Sequence, residues 1–494
     1  MRRVKNKIRI DFRSISVVIG YLFFVEFLML LIPVAVSLGY GDKAWTCFLP
    51  SLGVSLVSGV LLIRLGGGAR RKVHINRREG YLLTAVIWIL FSLVGMIPFM
   101  YCSHPLDAFD AFFETMSGFT TTGATVISDV EVLSHGILLW RSLIQWMGGL
   151  GIVIFMLAVL PSLNQSGGVP MFNAETTGIV HDKLHPRIRQ TAESLWLVYS
   201  GLTVLLILFL WAGPMDLFDA VCQSMTTMST GGFSTRNASI AAWGSDYIAL
   251  VISIFMLIGG VNFMLLYGVL KGRVRQLFRN DVLRAYLLLI VLSWLAITVA
   301  VVVRGEADNI GDALLLPLFQ VATTMTTTGF SYGAYESWGG FVYMMLVILM
   351  FMGACAGSTT GALKVDRFLA LFKNTRKEVE LTLYPRHMLA VEINGRQLSD
   401  GQMSKISAFF MLYIALAIGG AMLMCAYGYS FSDGLFASAS CIGNNGLGYG
   451  ATGSGGSFGE LPDAVKIVFS LLMLVGRLEV FTVIVIFSKK FWRS

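Results

Sequence analysis

Ten apolar runs constrain this chain more than any other feature. They lie at about 15–38, 45–63, 81–100, 137–160, 195–210, 247–270, 286–303, 341–352, 406–424 and 465–487. A helix needs about 20 apolar residues to cross the hydrocarbon of a bilayer. Within hydrocarbon the backbone must satisfy its own hydrogen bonds, so runs of this length form helices. The expected fold class is an all-α polytopic membrane protein. With 55% hydrophobic and 13% charged residues, the composition excludes a soluble globular domain. The first run is too long for the apolar core of a signal peptide and lacks a small-residue cleavage site. Cys47, Cys102, Cys222, Cys355, Cys425 and Cys441 show no paired spacing and read as small apolar residues. The eighth run is short, and a second apolar stretch follows it after a break.

Charge sets the orientation. With the N-terminus inside and the spans alternating, 31 of the 37 Lys and Arg residues fall on the inner side and five on the outer, with Arg477 inside a span. Inner loops carry such an excess, so both termini are expected in the cytoplasm. The basic residues report orientation, and nucleic-acid binding is not inferred from them. The outer side holds 16 of the 29 acidic residues. They solvate the loops and also concentrate cations near any opening.

Internal repetition carries the functional reading. Four outer segments read Thr121-Thr122-Gly123-Ala124-Thr125, Ser229-Thr230-Gly231-Gly232-Phe233, Thr327-Thr328-Gly329-Phe330-Ser331 and Asn444-Asn445-Gly446-Leu447-Gly448. Their central glycines are spaced by about 100 residues, with Phe113, Val221, Phe319 and Phe436 ten positions upstream. Asp110, Asp219, Asp312 and Asp433 open the approach to each, placed to cap a short helix. Each repeat is thus a long span, a short helix entering from outside, a glycine-centred loop and a second long span. The expected units are a two-helix extension over 1–78 and pore-loop repeats over 79–189, 190–281, 282–400 and 401–494.

Irregular backbone at membrane depth survives only where it lines water or is buried in protein. Four such loops around one axis supply rings of carbonyl oxygens that replace the hydration shell of a cation. The partly negative C-terminal ends of the short helices favour cations again. The candidate filter residues are therefore Thr121, Thr122, Gly123, Ser229, Thr230, Gly231, Thr327, Thr328, Gly329, Asn444, Asn445 and Gly446.

The span after each loop repeats Met147-Gly148-Gly149, Ile258-Gly259-Gly260, Met352-Gly353-Ala354 and Val475-Gly476-Arg477. Small residues allow close helix packing, which accounts for the first three. Arg477 takes the place of a small residue, and an ionisable side chain there marks a functional site. It either sets an electrostatic barrier below the filter or pairs with Glu479 or a backbone carbonyl. In the third repeat, residues 353–362 are small, polar and glycine-rich where a continuous span is required. No strand precedes them and no Gly-Lys-Ser/Thr ending follows, so nucleotide binding is discounted. The expected structure is a plug beneath the filter, with Gly353, Gly357, Ser358, Thr359, Thr360, Gly361 and Arg477 as gate residues.

Together the four loops, the fourth reading Asn-Asn-Gly-Leu-Gly, the broken third repeat and the Arg in the last span resemble the Trk/Ktr/HKT potassium transporter superfamily. The two extra N-terminal spans resemble its bacterial TrkH/TrkG branch. The resemblance covers essentially the whole chain. It implies that Gly123, Gly231, Gly329 and Gly446 are the filter glycines and that potassium is the transported ion, held at the filter, with no organic cofactor. Glycine rather than serine at position 123 favours potassium over sodium. It further implies a homodimer with one pore per subunit in the bacterial inner membrane. A cytosolic nucleotide-binding regulatory partner of the TrkA type is implied as well.

Two other classes compete. His181 and His185 are four apart, as on a zinc-binding helix face, but no Glu stands between them, and a solvated loop explains them. A membrane enzyme is therefore not expected. A proton- or sodium-coupled symporter would use carboxylates along its path, and Glu26 is the one carboxylate deep in a run outside the repeats.

Overall fold

The computed structural model describes residues 10–68, 73, 75–151, 188–307, 309–387, 389–453 and 457–492. His181 and His185 lie outside them. Within the described residues the chain is helical apart from one two-stranded hairpin, Glu392–Ile393 with Arg396–Gln397. Six helices are long and apolar enough to cross a membrane, and two further pairs form broken spans.

Phe12–Tyr40 and Trp45–Leu65 make an antiparallel pair ahead of the repeats. Asp11 caps the first by accepting from the Arg13 and Ser14 N–H groups. Gly20 lies so close to Gly59 that a methyl added to it would sit 2.9 Å from the Gly59 carbonyl. Lipid supplies no hydrophobic drive between helices, so this close crossing holds the pair by van der Waals contact.

Each of the four following stretches contains a first span, a short helix and a second span. The first spans are Arg78–Tyr101, bent near Met96, then Ile188–Trp211, Asp281–Arg304 and Asp400–Ala426. The short helices, here pore helices 1 to 4, are Ala108–Phe119, Leu217–Met228, Ile310–Met325 and Phe431–Gly443. Their caps are Asp107, Asp216, Asn309 and Ser430, three residues ahead of the aspartates expected in that role. Each cap side chain accepts the backbone N–H of the expected residue: Asp110, Asp219, Asp312 and Asp433. Those aspartates occupy the first turn, where a carboxylate still favours the helix dipole. Such a cap stabilises a helix by about 1 kcal/mol.

The second spans start at His135, Asp246, Gly340 and Asp463 and stop at Gly149, Gly259, Met352 and Arg477. They stop at the four small-residue motifs. Continuous spans were expected in the second and fourth repeats, yet the chain there turns by 100° into Phe263–Leu270 and by 113° into Val480–Phe487. Packing explains the stops. A methyl on Gly148 would fall 1.8 Å from the Phe119 carbonyl, and one on Gly476 1.9 Å from the Ile442 carbonyl. The second spans of the first and fourth repeats therefore press against the C-terminal ends of their pore helices.

A candidate ion filter and its gate

The four loops leave their pore helices in one shared geometry. The N–H groups of Thr122, Gly231, Thr328 and Asn445 each donate to a carbonyl five residues back, on Ser117, Thr226, Thr323 and Ser440, all at 2.8 Å. Thr121, Thr230, Thr327 and Asn444 are left-handed, with φ of 54°, 52°, 53° and 53°. Two residues later Gly123, Gly232, Gly329 and Gly446 are left-handed too, at 85°, 79°, 84° and 77°. This corrects the register of the second repeat. Gly232, and not Gly231, matches the other three glycines. Its triplet is Thr230-Gly231-Gly232, and Ser229 corresponds to Thr120.

The glycines close a ring. A methyl on Gly123 would lie 2.1 Å from the Gly231 carbonyl oxygen, and one on Gly232 would lie 1.9 Å from that of Thr328. On Gly329 it would lie 1.9 Å from that of Asn445, and on Gly446 2.1 Å from that of Thr122. Each glycine thus touches the carbonyl preceding the next repeat's glycine, in the order one, two, three, four and back to one. Both the φ angle and the contact demand glycine.

On one side the ring opens into a cavity of about 630 Å3, lined by all four glycines and by Arg141, Arg236 and Glu336 among others. At the rim, Asn237 donates to Asp129 at 2.7 Å. That hydrogen bond holds the Asp129 carboxyl below the usual carboxylate range, so this charge persists in mild acid. Behind the ring a buried ion pair joins Glu114 of pore helix 1 to Arg141 of the following span at 2.9 Å. Arg141 also donates to the Ser234 carbonyl at 3.0 Å and lies over the Phe233 ring, tying the first loop to the second.

Residues 353–364, the broken part of the third repeat, lie on the side of the ring away from the cavity. Gly361 N–H donates to Thr327 Oγ1 at 2.8 Å, and Thr230 Oγ1 donates to Thr359 Oγ1 at 3.3 Å. Asn262 Nδ2 donates to the Ala356 carbonyl at 2.7 Å, and the Cys355 N–H to the Gly260 carbonyl at 3.0 Å. Ser358 Oγ and Thr360 Oγ1 are 2.7 Å apart. Gly353 and Gly357 supply left-handed turns at φ 67° and 76°. The expected gate residues are therefore brought together in one segment against the filter strands.

Arg477 joins this segment to the first repeat. It donates to the Thr359 carbonyl at 2.6 Å and to the carbonyls of Gly148 and Gly149. The expected pairing with backbone carbonyls is thus present, and Glu479 bonds Arg367 at 2.6 Å. The sequence reading missed Lys364. It is fully buried, and its Nζ donates to the Thr360 carbonyl and, at 3.0 Å, to Thr360 Oγ1. It looked like the first residue of a basic inner stretch, and only the fold returns it to the filter.

A family model described as TrkH, cation transport protein, matches residues 56–494. This chain belongs to the TrkH family. Among its relatives, the Trk system potassium uptake protein TrkG of Escherichia coli is 35% identical over 495 residues, covering 98% of this chain and 99% of the relative. TrkH of Escherichia coli is 35% identical over 488 residues, covering 98% of this chain and 100% of the relative. The crystal structure of the potassium transporter TrkH from Vibrio parahaemolyticus matches with a TM-score of 0.87 at 30% identity, covering 98% of this chain and 100% of that one. The TrkH family thus accounts for the all-α membrane fold.

Proposed function

We propose that this chain is the potassium-translocating subunit of a Trk-type uptake system. The observation that carries the reading is the closed ring of four loops. A dehydrating cation needs oxygen ligands on all sides, and four backbone segments in one geometry supply them. The pore helices aim their C-terminal ends at the ring and add negative potential. The names of the relatives point to potassium as the cargo.

In this reading residues 353–362 are the gate, and Arg477 places positive charge beside them, where it retards cations. The helix Val365–Leu383 leaves the gate directly and transmits the pull of a cytosolic nucleotide-binding subunit of the TrkA type. The working form is a homodimer in the bacterial inner membrane with both termini cytoplasmic, as the uneven spread of Lys and Arg supports.

Rubidium flux into proteoliposomes tests the proposal. Uptake that follows the potassium gradient and is blocked by excess potassium but not by sodium is expected. Absence of such flux in dimeric, reconstituted protein overturns it. A coupled symporter with the same filter is the second reading, favoured only by buried Glu26, and a proton or sodium gradient driving uptake uphill would select it.

A further inference from the structure

We infer that Gln145 is a specificity-determining positioning residue of the filter, standing in for the side chain that the second repeat lacks. The inference rests on the filter reading above. The residue before each ring glycine is Thr122, Gly231, Thr328 or Asn445. Three of these carry a side chain that fixes the strand. Thr122 Oγ1 lies 2.8 Å from Thr120 Oγ1 and accepts from Asn444 Nδ2 at 3.0 Å. Thr328 Oγ1 lies 2.8 Å from Thr326 Oγ1. Asn445 Nδ2 donates to the Thr324 carbonyl at 2.8 Å.

Gly231 has no side chain to do this, and the space is taken from outside the repeat. Gln145, fully buried in the second span of the first repeat, donates from Nε2 to the Gly231 carbonyl at 2.6 Å. Its Oε1 accepts the Phe233 N–H at 3.1 Å. One amide thus bridges the backbone on both sides of ring residue Gly232. A methyl on Gly231 would lie 2.4 Å from Gln145 Cδ and 2.5 Å from Oε1, so Gln145 fills the place of the missing side chain. The Gly231 φ is not left-handed, so a side chain there would meet no backbone strain, only Gln145.

The consequence is for ion choice. The Gly231 carbonyl is also the oxygen that Gly123 touches across the ring. A hydrogen bond to it fixes its position and lowers the electron density it offers a cation. Without Gln145 this one oxygen of the ring is free to turn and to close on a smaller ion.

The test uses Gln145→Met, similar in size but without the amide, Gly231→Thr, and Gln145→Ala with Gly231→Thr together. Each full-length variant is reconstituted, and sodium and rubidium uptake are compared with maximal flux and with dimer content on size exclusion. In Gln145→Met the sodium-to-rubidium ratio should rise by about 3- to 10-fold, the effect of one lost hydrogen bond. Dimer content should stay the same; a residue that merely supports folding would lower yield and leave the ratio alone. Gly231→Thr alone should lose folded protein or selectivity. The double replacement, which rebuilds the threonine of the first and third repeats, should restore both. An unchanged ratio in Gln145→Met overturns the inference, as does a double variant no better than Gly231→Thr. If Gln145→Met does not fold, the double replacement decides alone by the same outcomes. The wild-type protein separates the two readings: failure to prefer rubidium over sodium there refutes the filter itself.

Discussion

At the scale of single residues, the ring glycines are replaceable by nothing larger. A Cβ at 123 or 232 would stand about 2 Å from a neighbouring carbonyl oxygen, which must then move. Gly123→Ser and Gly232→Ser should therefore both raise sodium permeability relative to potassium; equal ratios in wild type and variants, with dimer intact, would refute this. Glu114 and Arg141 make a second prediction. Their pair is buried, and removing one partner leaves a charge without compensation, at a cost of about 3–5 kcal/mol. Arg141→Met should lower the thermal midpoint in detergent sharply, and adding Glu114→Gln should recover much of the loss. Spacing alone made the glycines legible, but Ser-Thr-Gly-Gly admits two registers. The deciding signal was present: Asp219 stands as far before Gly232 as Asp110 stands before Gly123 and Asp433 before Gly446. Gln145 left no such trace, because its meaning lies in a contact with a strand 86 positions away.

Among the elements, the helices fall where apolar length required them, and the breaks do not. Only the third second span looked broken in the sequence, since low helix propensity was sought and only 353–362 had it. The turns after Gly259 and Arg477 fall instead where the chain packs closely, Gly260 against Tyr286 and Gly476 against the Ile442 carbonyl of pore helix 4, contacts that propensity does not record. The broken segment is held under strain. Ala362 and Lys364 are left-handed without being glycine, at φ 60° and 74°, as is Glu479 at the turn after Arg477, at 59°. Each such residue costs about 1–3 kcal/mol and persists only while its surroundings hold it. That suits an element with two arrangements. Deleting several residues within 353–362 should leave transport active without the regulatory partner, and Arg477→Ala should raise flux at a given driving force. Flux abolished in folded dimer by the deletion, or partner dependence retained, would show that the gate lies elsewhere. A fall in flux in folded Arg477→Ala would make that side chain a strut only.

For the whole molecule the open question is what drives the ion. Coupling to protons needs a carboxylate that exchanges its proton with both sides along the ion's path. Glu26 is fully buried, and neither of its oxygens has a hydrogen-bond partner within the described residues. It sits in the N-terminal helix Phe12–Tyr40, which packs outside the ring against Gly136 of the first repeat through Ser37 and Pro33. The ring itself is built from backbone, hydroxyls and amides, none of which titrates near neutral pH. Flux should therefore follow the potassium electrochemical gradient and be indifferent to an imposed pH gradient, and Glu26→Gln should leave both properties unchanged. Rubidium uptake into vesicles clamped at zero potential by a permeant anion, with and without an inward proton gradient, measures this directly. Uphill accumulation driven by protons in wild type and lost in Glu26→Gln would make Glu26 the coupling site and the protein a symporter.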